Sequence, residues 1–311
     1  MRRLVSALCF FGILSLVSPA MAGDPPDRRL LMIGIDGCRT DALLAAETPH
    51  LDRLIANGNF STNTSILGPR PTENDTVSGP GWSSIYTGVW ADKHEVNNNE
   101  FADPNYDEYP HFFALLKEAR PKAVAGSFSD WSPIAEKIVS AADVVASPAP
   151  GKDGGADGYR AGDIAVTQQA AAFLRQKDPT AVCVYLGQVD ETGHAKGFHP
   201  TVPEYIAAIE RVDAHIGTLL EAIAARPNAD REEWLVVVTT DHGGQGTGHG
   251  DGAQVEVIRR VFLIVSGPGL PDADANRQTF LVDAVPTGLT WLGVEVKSEW
   301  GLDGTPYGLA P

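Results

Sequence analysis

The chain has 311 residues and an acidic composition, with 40 Asp and Glu against 24 Lys and Arg and a formal net charge of −16. This charge repels the backbone of nucleic acids and anionic membrane surfaces, so a nucleic acid duplex is not expected as a partner. The length suits one α/β domain with a well-buried core, which we place at residues 23–311.

The N-terminus has the pattern of a secretory signal peptide over residues 1–22. Two arginines precede an apolar run at residues 4–17, and small residues lead to a cleavage site after Ala22. The apolar run is too short to span a bilayer, so we expect a secreted or periplasmic chain without a membrane anchor. For Cys38 and Cys183 of the mature chain, buried thiols are the default, and one disulfide between them stays open.

The first strong element is an apolar run at residues 28–35, which reads as a strand and ends in Asp36 and Gly37. Asp36 either caps the following turn or binds a metal at the C-terminal end of the strand. Thr48 and Pro49 then have the pattern of an N-cap and a first helical residue, and a second strand is expected at residues 59–66.

Residues 76–88 contain glycines and a proline that open a short helix, with Ser78 at or just before its N-terminus. The free N–H groups and the positive dipole end at a helix N-terminus favour an anion such as phosphate. A simple N-cap is the alternative role for Ser78. The polar loop that contains residues 97–99, three asparagines, is interpreted as solvated, with a pocket wall as its alternative.

Two further buried strands lead into acids and imidazoles. Residues 181–187 run into Asp190 and His194, which are four residues apart in what we predict to be a tight, glycine-containing turn. Residues 234–238 form an apolar run typical of a strand buried on both faces. They are followed by three candidate ligands, of which the last lies beyond a glycine-rich loop: Asp241, His242 and His249.

Strands that alternate with helices predict a three-layer α/β/α sandwich around a mostly parallel central sheet. Such sheets place their sites at the carboxyl ends of the strands, where the three acids and three imidazoles would meet. Mixed carboxylate and imidazole ligation suits zinc. Six ligands are too many for one catalytic zinc but fit two metals about 4 Å apart that share one oxyanion.

The order of these motifs resembles the alkaline phosphatase superfamily, specifically the type I phosphodiesterase/nucleotide pyrophosphatase family with its sulfatase-like relatives. The resemblance covers residues 30–270. It rests on five motifs in matching order: Gly34-Ile35-Asp36-Gly37, Ser78-Gly79-Pro80, Asp190-Glu191-Thr192-Gly193-His194, Thr240-Asp241-His242-Gly243 and Gly248-His249-Gly250.

The resemblance implies an alkaline phosphatase-like fold, two zinc ions and a small-molecule phosphate ester as substrate. One zinc would be held by Asp190, His194 and His249. The other would be held by Asp36, Asp241, His242 and the oxygen of Ser78. Ser78 would be the nucleophile and would form a covalent phospho-enzyme that water then hydrolyses. Thr76 is the competing nucleophile.

Two departures from the family pattern refine this expectation. Nucleotide pyrophosphatases have a threonine as the nucleophile and an asparagine three residues after it, whereas this chain has Ser78 and Gly81 at these positions. Sulfatases require an arginine where this chain has Trp82. We therefore expect a phosphodiesterase. The alternatives are a phosphomonoesterase of the alkaline phosphatase type, a sulfatase-like enzyme, or a non-catalytic export protein stabilised by metal.

Overall fold

The computed structural model describes residues 27–151, 154–274 and 277–309, so the predicted signal peptide lies outside the described residues. The described strands are β1 Asp27–Ile35, β2 Gly58–Ser65, β3 Ala125–Ser129, β4 Val144–Ala146, β5 Ala181–Leu186, β6 Glu232–Thr239, β7 Arg260–Ser266 and β8 Thr279–Phe280. The described α-helices are α1 Thr40–Leu43, α2 Pro49–Ala56, α3 Ser78–Thr87, α4 Ala91–His94, α5 Phe112–Ala119, α6 Gly155–Gln176, α7 Gln188–Lys196, α8 Pro203–Ala224, α9 Glu256–Arg259 and α10 Ala284–Trp291.

The described strands form one eight-stranded sheet in the order β4-β3-β5-β1-β6-β7-β2-β8. Every pair is parallel except the two that involve β7, which runs antiparallel to β6 and to β2. This arrangement confirms the mostly parallel sheet. Because β5, β1 and β6 are neighbours, their carboxyl ends lie side by side at one edge, and the three candidate acids follow these strands.

Two apolar cores cover the two faces of the sheet, as the alternation of side chains along each strand requires. Along β1, Leu30 and Met32 point into one core, and Leu31 and Ile33 point into the other. The first core also receives α3, α5 and α10, and the second receives α2, α6 and α8. Helices on both faces give the predicted three-layer α/β/α sandwich.

The main differences from the sequence expectations are local. The start of α2 is capped by Asp213 of α8, whose carboxylate accepts the backbone N–H groups of His50 and Leu51, whereas the Thr48 side chain makes no capping bond. The two shortest strands, β4 and β8, have three and two residues and are too short to show a period. Both are therefore absent from the predicted elements.

Two expectations about the chain as a whole can be compared with the structure. Cys38 and Cys183 are free and buried, which confirms the default interpretation of buried thiols. In the part of the chain that is described, no helix combines the length and the apolar character needed to cross a bilayer.

Candidate metal centre

Six of the candidate ligands converge where β5, β1 and β6 end. Asp36 directly follows β1, Asp241 lies two residues after β6, and Asp190 lies in the first turn of α7, which follows β5. Within the described residues, two groups have ligand atoms close enough together to hold a metal ion: Asp36, Asp241 and His242, and Asp190, His242 and His249. His242 belongs to both groups, whereas His194, which was expected to bind a metal with Asp190 and His249, belongs to neither.

Asp36 is oriented by two donors from the first core. Its Oδ2 accepts hydrogen bonds from the hydroxyl of Tyr185 at 2.6 Å and from the indole N–H of Trp82 at 2.9 Å. Its Oδ1 is left facing the cluster, 3.5 Å from the Ser78 hydroxyl oxygen and 3.5 Å from His242 Nε2. One oxygen is thus fixed and the other is presented, which is the arrangement that supports a ligating carboxylate.

The three imidazoles are oriented in a common way. The Nδ1 atoms of His194, His242 and His249 lie 2.9, 2.9 and 2.8 Å from the backbone carbonyl oxygens of Thr247, Gly243 and Thr76, respectively. A carbonyl can only accept, so each Nδ1 carries a proton and each Nε2 is left to face the cluster. All three Nε2 atoms face the acids, so the sequence folds these loops into a set of metal-ligating tautomers.

Asp190 and His194 are brought together by a helix, which corrects the predicted turn. Both lie on α7, where residues four apart occupy the same face. Their side chains approach to 3.3 Å, and His194 Nε2 lies 3.0 Å from His249 Nε2. The glycine in this motif suggested a turn, but Gly193 lies inside the helix, where a Cβ would lie 2.3 Å from the ring of Phe198.

The electrostatics of the cluster favour a cation. Burial, followed by the charge of Asp190, raises the pKa of Asp36 to about 7, and burial also raises the pKa of Asp241 well above its usual range. Burial and the neighbouring His242, whose ring stacks at 3.7 Å, lower the pKa of His249 to about 4. The hydrogen bond to Asp190 raises the pKa of His194 to about 9, so in the metal-free site a proton on His194 offsets part of the acidic charge that a divalent cation would otherwise offset.

Two buried carboxylate oxygens without hydrogen-bond partners also indicate a site for a cation. Asp190 Oδ1 and Asp241 Oδ2 are buried and have no hydrogen-bond partner. Buried polar atoms are nearly always paired, so each such atom requires an explanation. Both atoms face the imidazole Nε2 atoms, with Asp241 Oδ2 3.2 Å from His242 and Asp190 Oδ1 3.6 Å from His249. The residues present therefore fit metal ions.

Ser78 lies at the edge of this cluster as the first residue of α3. Its hydroxyl oxygen is 3.4 Å from His242 Nε2, and the residue is 7% exposed. The close packing of α3 against the cluster depends on Gly81, because a Cβ there would lie 2.7 Å from the Cβ of Asp241. The N-terminus of α3 thus lies beside the ligands, with the N–H of Gly79 donated to Asn99 and no N–H on Pro80.

Thr76, the competing nucleophile, is committed to the support of His249. Its hydroxyl donates to the carbonyl oxygen of His249 and accepts the N–H of Gly252 at 2.8 Å. Its own carbonyl accepts the Nδ1 proton of His249. Since both functions of the hydroxyl are used, the geometry favours Ser78 over Thr76 as the free hydroxyl of the site.

An asparagine that sequence reasoning placed in a solvated loop also belongs to the site. Asn99 Oδ1 accepts the N–H of Gly79 at 2.6 Å, so its amide group lies beside the residue that follows Ser78. Gly81 stands where an asparagine was expected, three residues after the nucleophile. Asn99 instead places an amide group beside Gly79, from a loop 20 residues further along the chain. The run of three asparagines was the only signal for this contact in the sequence.

The two cations nearest in sequence are held away from Ser78. The Arg39 guanidinium pairs with Asp41 at 2.6 Å and donates to backbone carbonyls. Lys93 pairs with Asp303 at 2.7 Å. Both cationic groups are therefore committed to partners other than Ser78.

Comparison with solved structures defines the class of fold. A phosphonate monoester hydrolase from Silicibacter pomeroyi superposes with a TM-score of 0.63 at 20% identity, covering 91% of this chain and 77% of that one. A 2-O GAG sulfatase superposes with a TM-score of 0.67 at 15% identity, covering 91% and 73%. This chain therefore has the same fold as these two proteins.

The family follows from the sequence. The type I phosphodiesterase/nucleotide pyrophosphatase family matches residues 30–258, and the chain belongs to it. Human ectonucleotide pyrophosphatase/phosphodiesterase family member 7 is 25% identical over 260 residues, which cover 76% of this chain and 53% of that protein. The match thus spans about half the length of this relative. The family expected from the ordered motifs is confirmed.

Proposed function

We propose that this protein is an exported hydrolase of phosphoric diesters that works with two zinc ions and uses Ser78 as its nucleophile. The observation that carries the proposal is the placement of the Ser78 hydroxyl within 3.5 Å of Asp36 and His242, at the junction of the two ligand groups. Family membership supports the chemistry. Zinc suits the mixture of carboxylate oxygens and imidazole nitrogens.

One zinc would be held by Asp190, His194 and His249, where His194 joins two members of the group Asp190, His242 and His249 through its Nε2, 3.0 Å from that of His249. The other would be held by Asp36, Asp241, His242 and the Ser78 oxygen. When bound, the metal ions would lower the pKa of the serine hydroxyl and offset charge that develops on the phosphoryl oxygens. Other residues of the chain would bind the substrate and orient it for attack by Ser78.

The residues around Ser78 would orient the substrate. The N-terminus of α3 would favour the phosphate anion through the positive end of its dipole. The Asn99 amide, held by the N–H of Gly79, would donate from Nδ2 to a phosphoryl oxygen. The Ser78 oxygen would then bond to phosphorus as the first alcohol leaves, and water would displace Ser78 in the second step.

The charges at the site favour a diester over a monoester. A monoester dianion needs additional cationic groups, and Arg39 and Lys93 are both committed to other partners. A phosphomonoesterase therefore remains the second candidate. The sulfatase alternative is weaker, because Trp82 takes the place of the required arginine and donates to Asp36.

The test combines metal analysis with two substrates. Purified mature protein should contain two zinc ions and hydrolyse bis-p-nitrophenyl phosphate faster than p-nitrophenyl phosphate. The opposite preference would make the protein a phosphomonoesterase. Two bound zinc ions without cleavage of either ester would support the non-catalytic alternative, and the absence of bound metal would refute the proposal. N-terminal sequencing should find Gly23 first if residues 1–22 are removed on export.

A further inference from the structure

A second pair of buried acids lies near the metal centre but outside it. Asp130 directly follows β3 and is 1% exposed. Among the described residues, no donor group reaches either oxygen of its carboxyl group. An ionised carboxylate in such a place would carry a large desolvation cost, so the group must either be neutral or bind a cation.

Asp163 faces Asp130 from α6 and is fully buried. Its Oδ1 accepts the backbone N–H of Gly187 at 2.9 Å, and its Oδ2 accepts from Gln188 Nε2 at 2.6 Å. These two residues form the junction at which β5 ends and α7 begins. The carboxylate of Asp163 therefore fixes the start of the helix that bears Asp190 and His194.

The orientation of the Gln188 amide group is fixed, with its nitrogen toward Asp163 as a donor. Gln188 Oε1 accepts from the Nε of Arg211 at 2.8 Å, so the amide nitrogen has to point toward Asp163. Both oxygens of Asp163 thus face donors, and only an ionised carboxylate can accept at both positions.

The two acids are packed too closely for both to be charged. The chain of α6 approaches Asp130 at Gly162, where a Cβ would lie 2.5 Å from Asp130 Oδ2. Burial, then the charge of Asp163 and a hydrogen bond to it, raise the pKa of Asp130 well above its usual range. Two carboxyl groups this close retain one proton between them.

We propose that Asp130 is a neutral carboxylic acid that donates its proton to Asp163, and that the two form a positioning pair for α7. Asp163 remains ionised and accepts hydrogen bonds from Gly187 and Gln188. The protonated carboxyl group of Asp130 donates a further hydrogen bond to it, so neither a metal nor a basic residue is required. The role in positioning ligands rests on the proposed metal centre, whereas the shared proton does not.

The titratable and charged groups that face the pair come from four elements. They are Asp36 after β1, Tyr185 of β5, Tyr159 of α6 and Arg211 of α8. Since all of them are retained in a substitution of Asp130 alone, the difference between that variant and the natural chain isolates the shared proton.

The first experiment compares the natural chain with Asp130→Asn in thermal unfolding at several pH values. An asparagine amide can donate to Asp163 as the acid does, so the variant should fold with similar stability near neutral pH. The raised pKa of Asp130 contributes stability that is complete below the pKa of an unfolded aspartate, about 4, and the natural chain should lose this stability as the pH rises toward the raised pKa. The variant should lose at least about 3 °C less over this range.

The second experiment compares metal affinity between Asp130→Asn and Asp163→Asn by competition with a chelator. Asp163→Asn places an amide N–H against the donors at Gly187 and Gln188, which should displace the start of α7. Zinc binding should therefore weaken by about 10- to 100-fold in Asp163→Asn and change by less than about threefold in Asp130→Asn. If Asp163→Asn does not fold, Gln188→Leu removes one of the same two bonds and should weaken zinc binding in the same direction.

Three results would overturn the proposal. Identical alkaline losses in the natural chain and Asp130→Asn would refute the shared proton. Equal zinc affinity in Asp163→Asn and Asp130→Asn would refute the positioning role. One additional Mg²⁺ or Ca²⁺ ion bound by the natural chain, and lost in Asp130→Asn, would make the pair an oxygen-ligand cation site instead. Because unfolding with pH requires no turnover, the shared proton can hold even if the proposed activity fails.

Discussion

The metal centre has two halves that are built by different means. The sheet half follows the central strands and is at most 1% exposed: Asp36, Asp241 and His242. The helix–loop half depends on α7 and on a glycine-rich loop: Asp190, His194 and His249. The side chain of His194 is 42% exposed, against 0% for that of His242. The sheet half is thus fixed by the fold, and the helix–loop half is fixed by local backbone contacts.

This contrast separates two tasks. The sheet half also contacts Ser78 and lies against α3, so under the proposed function it would combine ligation with the orientation of the nucleophile. The helix–loop half is open to solvent at His194, where a substrate or a water molecule can enter. We therefore expect substitutions in the sheet half to affect stability and turnover together, and substitutions in the helix–loop half to affect mainly metal affinity.

The largest expected effect is on turnover alone. Ser78→Ala should lower kcat by about 10⁴-fold or more, because the attacking oxygen is removed. Both metals should remain bound, since the other ligands are unchanged, and metal analysis of the same sample provides the control. Thr76→Ser should keep most of the activity. A Ser78→Ala variant that retained most of its turnover would place the nucleophile elsewhere.

Much of this centre could be predicted from the sequence, for a physical reason. Asp36 and Asp241 follow strands with strong apolar periods, and parallel strands bring their carboxyl ends together whatever the loops do. The sequence could not show the helix under Asp190, because a short polar segment with an internal glycine has no helical period. It also could not show Asn99 beside Gly79, since 20 residues separate them and only folding makes the contact.

The next effect compares the two halves directly. Asp241→Ala should remove one metal per chain and reduce the melting temperature, because a buried ligand with no solvent substitute is lost. His194→Ala should weaken binding of the other metal without emptying it at saturating zinc, because water can replace an exposed ligand. Metal stoichiometry at two zinc concentrations separates these outcomes. Unchanged stoichiometry in Asp241→Ala would contradict the ligand assignment.

Metal removal should reveal the burial of Asp36 and its repulsion by Asp190 of the helix–loop half. The pKa of Asp36 is raised to about 7 from 3.8, chiefly by burial and the charge of Asp190, so without metal the fold favours its protonated form. Stability from this group is complete below pH 3.8 and is lost as the pH rises through about 7. Relative to Asp36→Asn, the chelator-treated natural chain should lose a few kcal/mol.

Urea unfolding at about pH 5 and about pH 8 measures this difference. Buried histidines titrate in part of the same range with the opposite sign, since burial lowers the pKa of His249 to about 4. They are present in both proteins and cancel in the comparison. Adding zinc should reverse the trend, because deprotonated ligands bind metal more tightly as the pH rises. A natural chain and variant with parallel pH profiles would show that Asp36 is not destabilised in the metal-free state.

The smallest expected effect tests how the helix–loop half is held. Thr76→Val keeps the shape of the side chain but removes the hydroxyl that joins the His249 carbonyl to the N–H of Gly252. The His249 ring should lose part of its orientation, so zinc affinity should fall by about tenfold with little change in the sheet half. Thr76→Ser keeps the hydroxyl and should bind zinc normally. If both variants lost affinity equally, packing of the threonine methyl group would orient His249, and the loop would depend on the same kind of burial as the sheet half.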